Sequence, residues 1–240
     1  MKINTILPFL GLILVPSTHA WGTLGHQAVA YIATNFVAEE TRDYFQTLLG
    51  NRTESYLAGV ATTSQLLDPN VAKHDKYIAA KFIVHFVGDI HQPLHAENID
   101  IGGNTIHVNF TGKPTNLHSV WDTAIPEKLV GGYSMADAHD WANVLTAAIK
   151  TGIYQYQAKS WLEGMDISDP LTTALGWARD ANAFVCTAVM PDGAEVLEGK
   201  ELSGDYYDGS VPVIQLQVAR AGYRLAAWLD MIVRGIKMEL

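Results

Sequence analysis

The chain has 240 residues, 48% of them hydrophobic and 17% charged, with a formal net charge of −9 at pH 7. This composition excludes a disordered polymer and allows one large domain with a substantial core. The acidic balance excludes nucleic-acid binding through a generally basic surface, so any recognition of phosphate needs a local positive source such as a cluster of divalent cations.

Residues 1–20 read as a secretory signal peptide. Lys2 gives a positive start, Ile6 to Val15 an apolar run, and Ser17-Thr18-His19-Ala20 a small-residue cleavage site. The run is too short to span a bilayer, and Pro8 and Pro16 oppose a buried helix. Cleavage after Ala20 removes Lys2, leaves the domain 21–240 and makes Trp21 the first residue. A free terminal amine titrates near pH ~8, so its lone pair is open to a metal ion, and the carbonyl of the same residue can complete a chelate. No other segment is apolar for long enough to cross a membrane. A secreted, soluble monomer is expected.

Apolar residues fall at helical spacing over Gly25 to Phe36 and again over Thr41 to Leu49. Tyr77 to Ile90, rich in Ile, Val, Phe and Ala, reads as a central buried helix that Pro93 ends. Glu97 to Asn116 carries two glycines and the run Thr105-Ile106-His107-Val108-Asn109-Phe110, a loop or small hairpin. Leu117 to Thr123 reads as a short helix and Ala136 to Thr151 as a longer one. Thr172 to Val189 and Pro212 to Val233 read as the last two long helices. With no repeat, linker or composition break, the expected fold is one all-α domain with a small hairpin insertion.

Asn51-Arg52-Thr53 and Asn109-Phe110-Thr111 are glycosylation sequons, with Asn51 and Asn109 as acceptors. The one cysteine, Cys186, lies in the apolar stretch from Ala183 to Val189. It has two readings, a buried core thiol or half of a pair whose partner is lost.

Histidines and aspartates carry the chemistry. His85/Asp89 and His118/Asp122 are both His-x-x-x-Asp pairs, a spacing that puts both side chains on one helix face. Imidazole plus carboxylate is a zinc ligand set. Asp89 sits in a strongly apolar stretch, where an unpaired carboxylate is costly to bury. A hydrogen bond to His85 would relieve that cost, and so would a shared metal. Gly88 removes bulk where an ion would approach. His95 follows Pro93 at a helix exit, where a turn can aim it back. His118 and Asp122 flank Val120 and Trp121 and are expected on the face opposite that apolar pair. His118, Asp122 and His95 would give one ion three protein ligands and leave a fourth position open, as in catalytic zinc. His19 leaves with the signal. His74, His91, His107 and His139 have no partner at ligand spacing, and His91, out of phase with His85 and Asp89, reads as structural.

These residues in this order resemble the zinc-dependent single-strand-specific nucleases, the group typified by nuclease P-one and nuclease S-one. The resemblance runs from Trp21 to about Trp228. It is carried by Trp21-Gly22-Thr23-Leu24-Gly25-His26, the stretch from His85 to His95, Gly102-Gly103-Asn104, and Asn116 to Thr123. Asp180-Ala181-Asn182-Ala183 and Gly222-Tyr223-Arg224-Leu225-Ala226 complete it. The resemblance implies a mostly helical fold holding three zinc ions. His95, His118 and Asp122 would bind one, Trp21 (amine and carbonyl) with His26 a second, and His85 a third, with Asp89 bridging the last two. Asn104, with Ile101 nearby, would match a base-recognition pocket. The implied reaction is hydrolysis of single-stranded DNA or RNA to 5′-phosphate products by zinc-activated water, with 3′-nucleotidase activity.

The resemblance fails in one place. Between Tyr56-Leu57-Ala58 and His85 the chain is several dozen residues shorter than the family pattern. The family places there an Asp, an Arg, a His and a base-stacking aromatic, so the zinc served by His85 would lose two of its four protein ligands, leaving two well-supported sites. The partner of Cys186 would fall in the same gap. His74 cannot substitute, because eleven residues of helix set it ~16 Å from His85. Either coding sequence has been skipped or the deletion is genuine, and the smooth match on both sides favours the first. Two alternatives stand beside the nuclease: a zinc phospholipase C, which tends to carry Glu where Asp122 stands, and an inactive or impaired deletion form.

Overall fold

The computed structural model describes residues 21–60 and 75–238. The expected signal peptide, His74 and most of the shortened stretch therefore lie outside the described residues.

The fold is built around α1 (Thr23–Thr34), whose residues Leu24 to Ala33 are all buried. A helix apolar on every side belongs at the centre of a bundle. It packs against α5 (Met135–Lys150) and α7 (Asp205–Met238). The contact with α7 is close because Gly222 carries no side chain: a Cβ there would lie 2.5 Å from Ile32. α2 (Glu39–Leu49) buries only Thr41, Phe45 and Leu49, a stripe at four-residue spacing. Glu39 and Glu40 favour its N-terminus, and Gly50, at φ 66°, ends it. α3 (Asp75–Asp89) leads into a tight turn, Pro93–Ala96, on which α6 (Pro170–Asn182) packs. α5 begins with a capping box between Ser134 and Asp137.

The expected hairpin is present. β1 (His107–Phe110) pairs antiparallel with β2 (Lys113–Asn116), His107 opposite Asn116. Thr111 and Gly112 turn at positive φ, 53° and 73°, as a two-residue hairpin requires. The Glu201 carboxylate accepts from both of their amides.

Three expectations about elements need correction. Leu117 to Thr123 is a single helical turn (Leu117–Ser119), then a π-helical segment (Val120–Ala124), then α4 (Ile125–Val130). Thr172 to Val189 is α6 ending at Asn182, followed by a second π segment, Val185–Val189. The last helix begins at Asp205 and carries Pro212 inside it. Cys186 is exposed, which removes the buried-thiol reading.

His91 is fully buried, in the structural role expected of it. Its Nδ1–H donates to the Val87 carbonyl at 2.7 Å, and its Nε2 accepts from Arg224 at 3.1 Å. Arg224 also donates to the Trp161 carbonyl and pairs with Asp180. Burial pushes the His91 imidazole down to about 3, with Arg224 adding to the push and the Val87 carbonyl opposing it. This neutral imidazole and its guanidinium fix the end of α3, and with it the direction of Asp89.

Candidate metal centre

Four segments of the chain supply the candidate ligands. The start of α1 supplies His26 and the end of α3 supplies His85 and Asp89. The turn Pro93–Ala96 supplies His95, and the segment Leu117–Ala124 supplies His118 and Asp122. The side chains form two groups, His26/His85/Asp89 and His95/His118/Asp122. Within each group one ligand atom per residue lies within 4.8 Å of the others.

In the first group, Asp89 faces two imidazoles with its two oxygens. Oδ1 is 3.2 Å from His26 Nε2 and Oδ2 is 3.5 Å from His85 Nε2. The His26 and His85 rings stack at 4.2 Å between centroids. The role expected of Gly88 changes: a Cβ there would sit 2.7 Å from His26 Nδ1, so the glycine makes room for a ligand ring rather than for an ion.

In the second group, Asp122 lies 3.1 Å from His118 Nε2 and 3.5 Å from His95 Nε2. Gln92 donates to Asp122 Oδ1 at 2.6 Å while its own Oε1 accepts from the Leu94 amide. His118 Nδ1–H donates to the Gly102 carbonyl at 2.7 Å, which leaves Nε2 as the nitrogen facing Asp122. His118 and Asp122 are buried, as are Val120 and Trp121, so the ligand pair of this segment is covered as well as its apolar pair. A π segment widens the helix locally, and such segments recur at functional sites. For Asp122, burial pushes the carboxyl up, but His118 and His95 outweigh it and hold it below the usual range. For His118, burial pushes down, and Asp122 with the Gly102 carbonyl raises it overall. A cation would compete with that proton for Nε2.

The donor set fits a metal. His26 Nδ1 and Nε2, Asp89 Oδ1, His95 Nε2 and His118 Nε2 are buried with no hydrogen-bond partner. Buried polar atoms are ordinarily satisfied, and orphans of this kind gathered within each of two ligand groups call for an ion. Nitrogen and oxygen donors without cysteine suit zinc with a position left open.

Trp21 is fully buried, and the backbone after it is strapped to the second group: Gly22 N donates to the Asp122 carbonyl at 2.7 Å. Ile101 is 68% exposed on a turn beside His118, and Asn104 Nδ2 donates to the Ile101 carbonyl. Asn51 accepts from Thr53 within its own sequon. Asn109 uses its side-chain nitrogen to hold the Gly199 carbonyl at 3.2 Å, so a glycan there would cost that bond. His107 and His139 belong to neither group.

Sequence reasoning assigns no task to Gln92 or Gly102. A polar side chain one residue before a proline, at the end of an apolar helix, was the available signal for Gln92. Gly102 offered only its glycine neighbour.

A family model described as S1/P1 Nuclease matches residues 21–64 and 61–234. Nuclease S1 of Aspergillus oryzae is 42% identical over 273 aligned positions, covering 92% of this chain and 94% of that protein. Nuclease P1 of Penicillium citrinum is 38% identical over 263 positions, covering 88% of this chain and 97% of that protein. Endonuclease 2 of Arabidopsis thaliana is 30% identical, covering 71% and 58%. The 273 positions exceed the 240 residues of this chain, and the family match divides at 61–64, within the stretch where the chain is short.

Proposed function

This chain belongs to the S1/P1 nuclease family, and from that premise we propose that it is a secreted zinc-dependent endonuclease. It hydrolyses single-stranded DNA and RNA to 5′-phosphate products and has 3′-nucleotidase activity. The observation that carries this reading is the convergence of six imidazole and carboxylate side chains into two groups, in which ligand atoms of His26, Asp89, His95 and His118 are buried without a hydrogen-bond partner.

His95, His118 and Asp122 hold one zinc. Trp21, through the amine and carbonyl left by cleavage after Ala20, and His26 hold a second. Asp89, with an oxygen toward each of His26 and His85, would serve both this site and one held by His85. Bound zinc supplies Lewis-acid polarisation of the phosphodiester and an activated water. The residues do the rest. Asp122 and Asp89 offset the cationic charge, Gly102 fixes the His118 tautomer, and Ile101 and Asn104 meet an unpaired base, which a duplex would hide. The product is a monomer, and Asn51 and Asn109 are its glycosylation acceptors.

The test is hydrolysis of single-stranded against duplex DNA, before and after a chelator and after zinc is restored. The expected result is single-strand cleavage that a chelator abolishes and zinc recovers; cleavage indifferent to the chelator contradicts the proposal. The shortened stretch favours a second reading, in which the His26/His85/Asp89 group holds metal weakly and turnover is impaired. Metal content separates the two: fewer than two zinc ions per chain, with no cleavage, supports the second. Nothing favours the phospholipase, and cleavage of phosphatidylcholine alone would be needed to restore it.

A further inference from the structure

The left-handed turn beside His118 is strained, and one amide outside both metal groups governs it. Asp100, Ile101, Gly102 and Gly103 all stand at positive φ, 49°, 57°, 63° and 77°. For a β-branched residue such as Ile101 that conformation is a genuine outlier, and it persists only where the surroundings impose it. Gly102 cannot be replaced by a larger residue there, since a Cβ would lie 2.7 Å from the Leu94 carbonyl.

The surroundings that impose it lead back to Asn182, the last residue of α6. Both bonds from its side-chain nitrogen go to the neighbouring loop: one to the Ala96 carbonyl at 2.9 Å, one to Glu97 Oε2 at 3.0 Å. Glu97 Oε1 in turn accepts from the Asn98 and Ile99 amides at 2.7 and 3.0 Å. The turn then closes, with Ile101 N donating to the Asn98 carbonyl and Gly103 N to the Ile99 carbonyl. Its product is the Gly102 carbonyl held 2.7 Å from His118 Nδ1. Ala96 directly follows His95, so the same amide clamps the backbone next to one imidazole and, through Glu97, positions the acceptor for the other.

We propose that Asn182 and Glu97 are positioning residues for the His95/His118/Asp122 metal site, acting by forcing the Asp100–Gly103 turn. This rests on the reading of that group as a metal site but not on the reaction it serves. Partners that orient metal-binding imidazoles typically contribute ~10- to 100-fold in metal affinity. Asn182 therefore belongs to the metal centre although it is the C-terminal residue of a helix that supplies no ligand.

The test is cobalt(II) titration of the full chain followed by visible absorption, with His95→Ala and His26→Ala marking which band belongs to which group. Asn182→Ala is expected to weaken cobalt in the His95/His118/Asp122 group ~10-fold or more. The His26/His85/Asp89 group should be unchanged. Asn182→Asp should be worse than Asn182→Ala, because it aims a carboxylate at a carbonyl and a second carboxylate. Glu97→Gln keeps an acceptor and should lie between Asn182→Ala and the unaltered protein, which keeps the test open if the Asn182 variants fold poorly. Equal weakening of both groups would reduce Asn182 to a general stabiliser and overturn the proposal, as would unaltered affinity in all three variants. Absence of any cobalt band in the unaltered protein would instead contradict the metal-site reading itself.

Discussion

The two metal groups use the same side chains but are held differently. Around His95/His118/Asp122, Gln92 grips the carboxylate and Gly102 grips the imidazole. In His26/His85/Asp89, both ring nitrogens of His26 and one oxygen of Asp89 lack hydrogen-bond partners among the described residues. The Asp89 side chain is also more open, at 22% exposed against 5% for Asp122. The His95/His118/Asp122 group is thus oriented by two hydrogen bonds from outside it, while His26 and Asp89 keep more atoms without a partner.

The comparison can be broken most strongly at its better-built end. Asp122→Asn removes the charge that the buried His118 and half-buried His95 imidazoles face, leaving them without that counter-ion. Metal should be lost from that group and single-strand hydrolysis should fall more than ~100-fold, since a ligand matters more than the partners that orient it. The His26/His85/Asp89 group should keep its metal. Asp89→Asn, the mirror change, should leave the His95/His118/Asp122 group intact, and metal analysis of the two variants side by side decides whether the groups are independent.

A smaller effect is expected at Gly88. Gly88→Ala drives a methyl group into His26, and overpacking of this kind costs ~1–3 kcal/mol. The midpoint of denaturant unfolding should fall, and metal binding should weaken in the His26/His85/Asp89 group only. An unchanged midpoint would mean that His26 has another position available.

The smallest effect lies far from both groups. Glu201 is held down to about 2 by the Ser203 hydroxyl and then by the Gly112, Ser203 and Thr111 amides. A folded value below the ordinary 4.5 means that the stabilisation is complete above pH 4.5 and is lost as pH falls towards 2. Amide NMR shifts of Thr111 and Gly112 should move over that window and stay flat in Glu201→Gln, while the metal groups should not sense the variant at neutral pH.

The metal groups were largely legible in the sequence because a His-x-x-x-Asp pair survives a change of helix type: the pair from His118 to Asp122 meets at 3.1 Å although the segment between is π-helical. The same tolerance hides the π segments, since five residues cannot separate one helical period from another. Apolar neighbours made a buried thiol one of two readings of Cys186, yet within the second π segment it is exposed. The supports were the least legible. Gln92, Gly102 and Asn182 act across separations of up to 86 residues, and no local pattern marks a side chain whose partner is that distant.

The account stands on ions seated between these side chains, and anomalous diffraction at the zinc edge from crystals grown with zinc tests it most directly. Separate peaks between His95, His118 and Asp122 and between His26, His85 and Asp89 are predicted, the first at the higher occupancy. Crystals showing no peak between His95, His118 and Asp122 would contradict it.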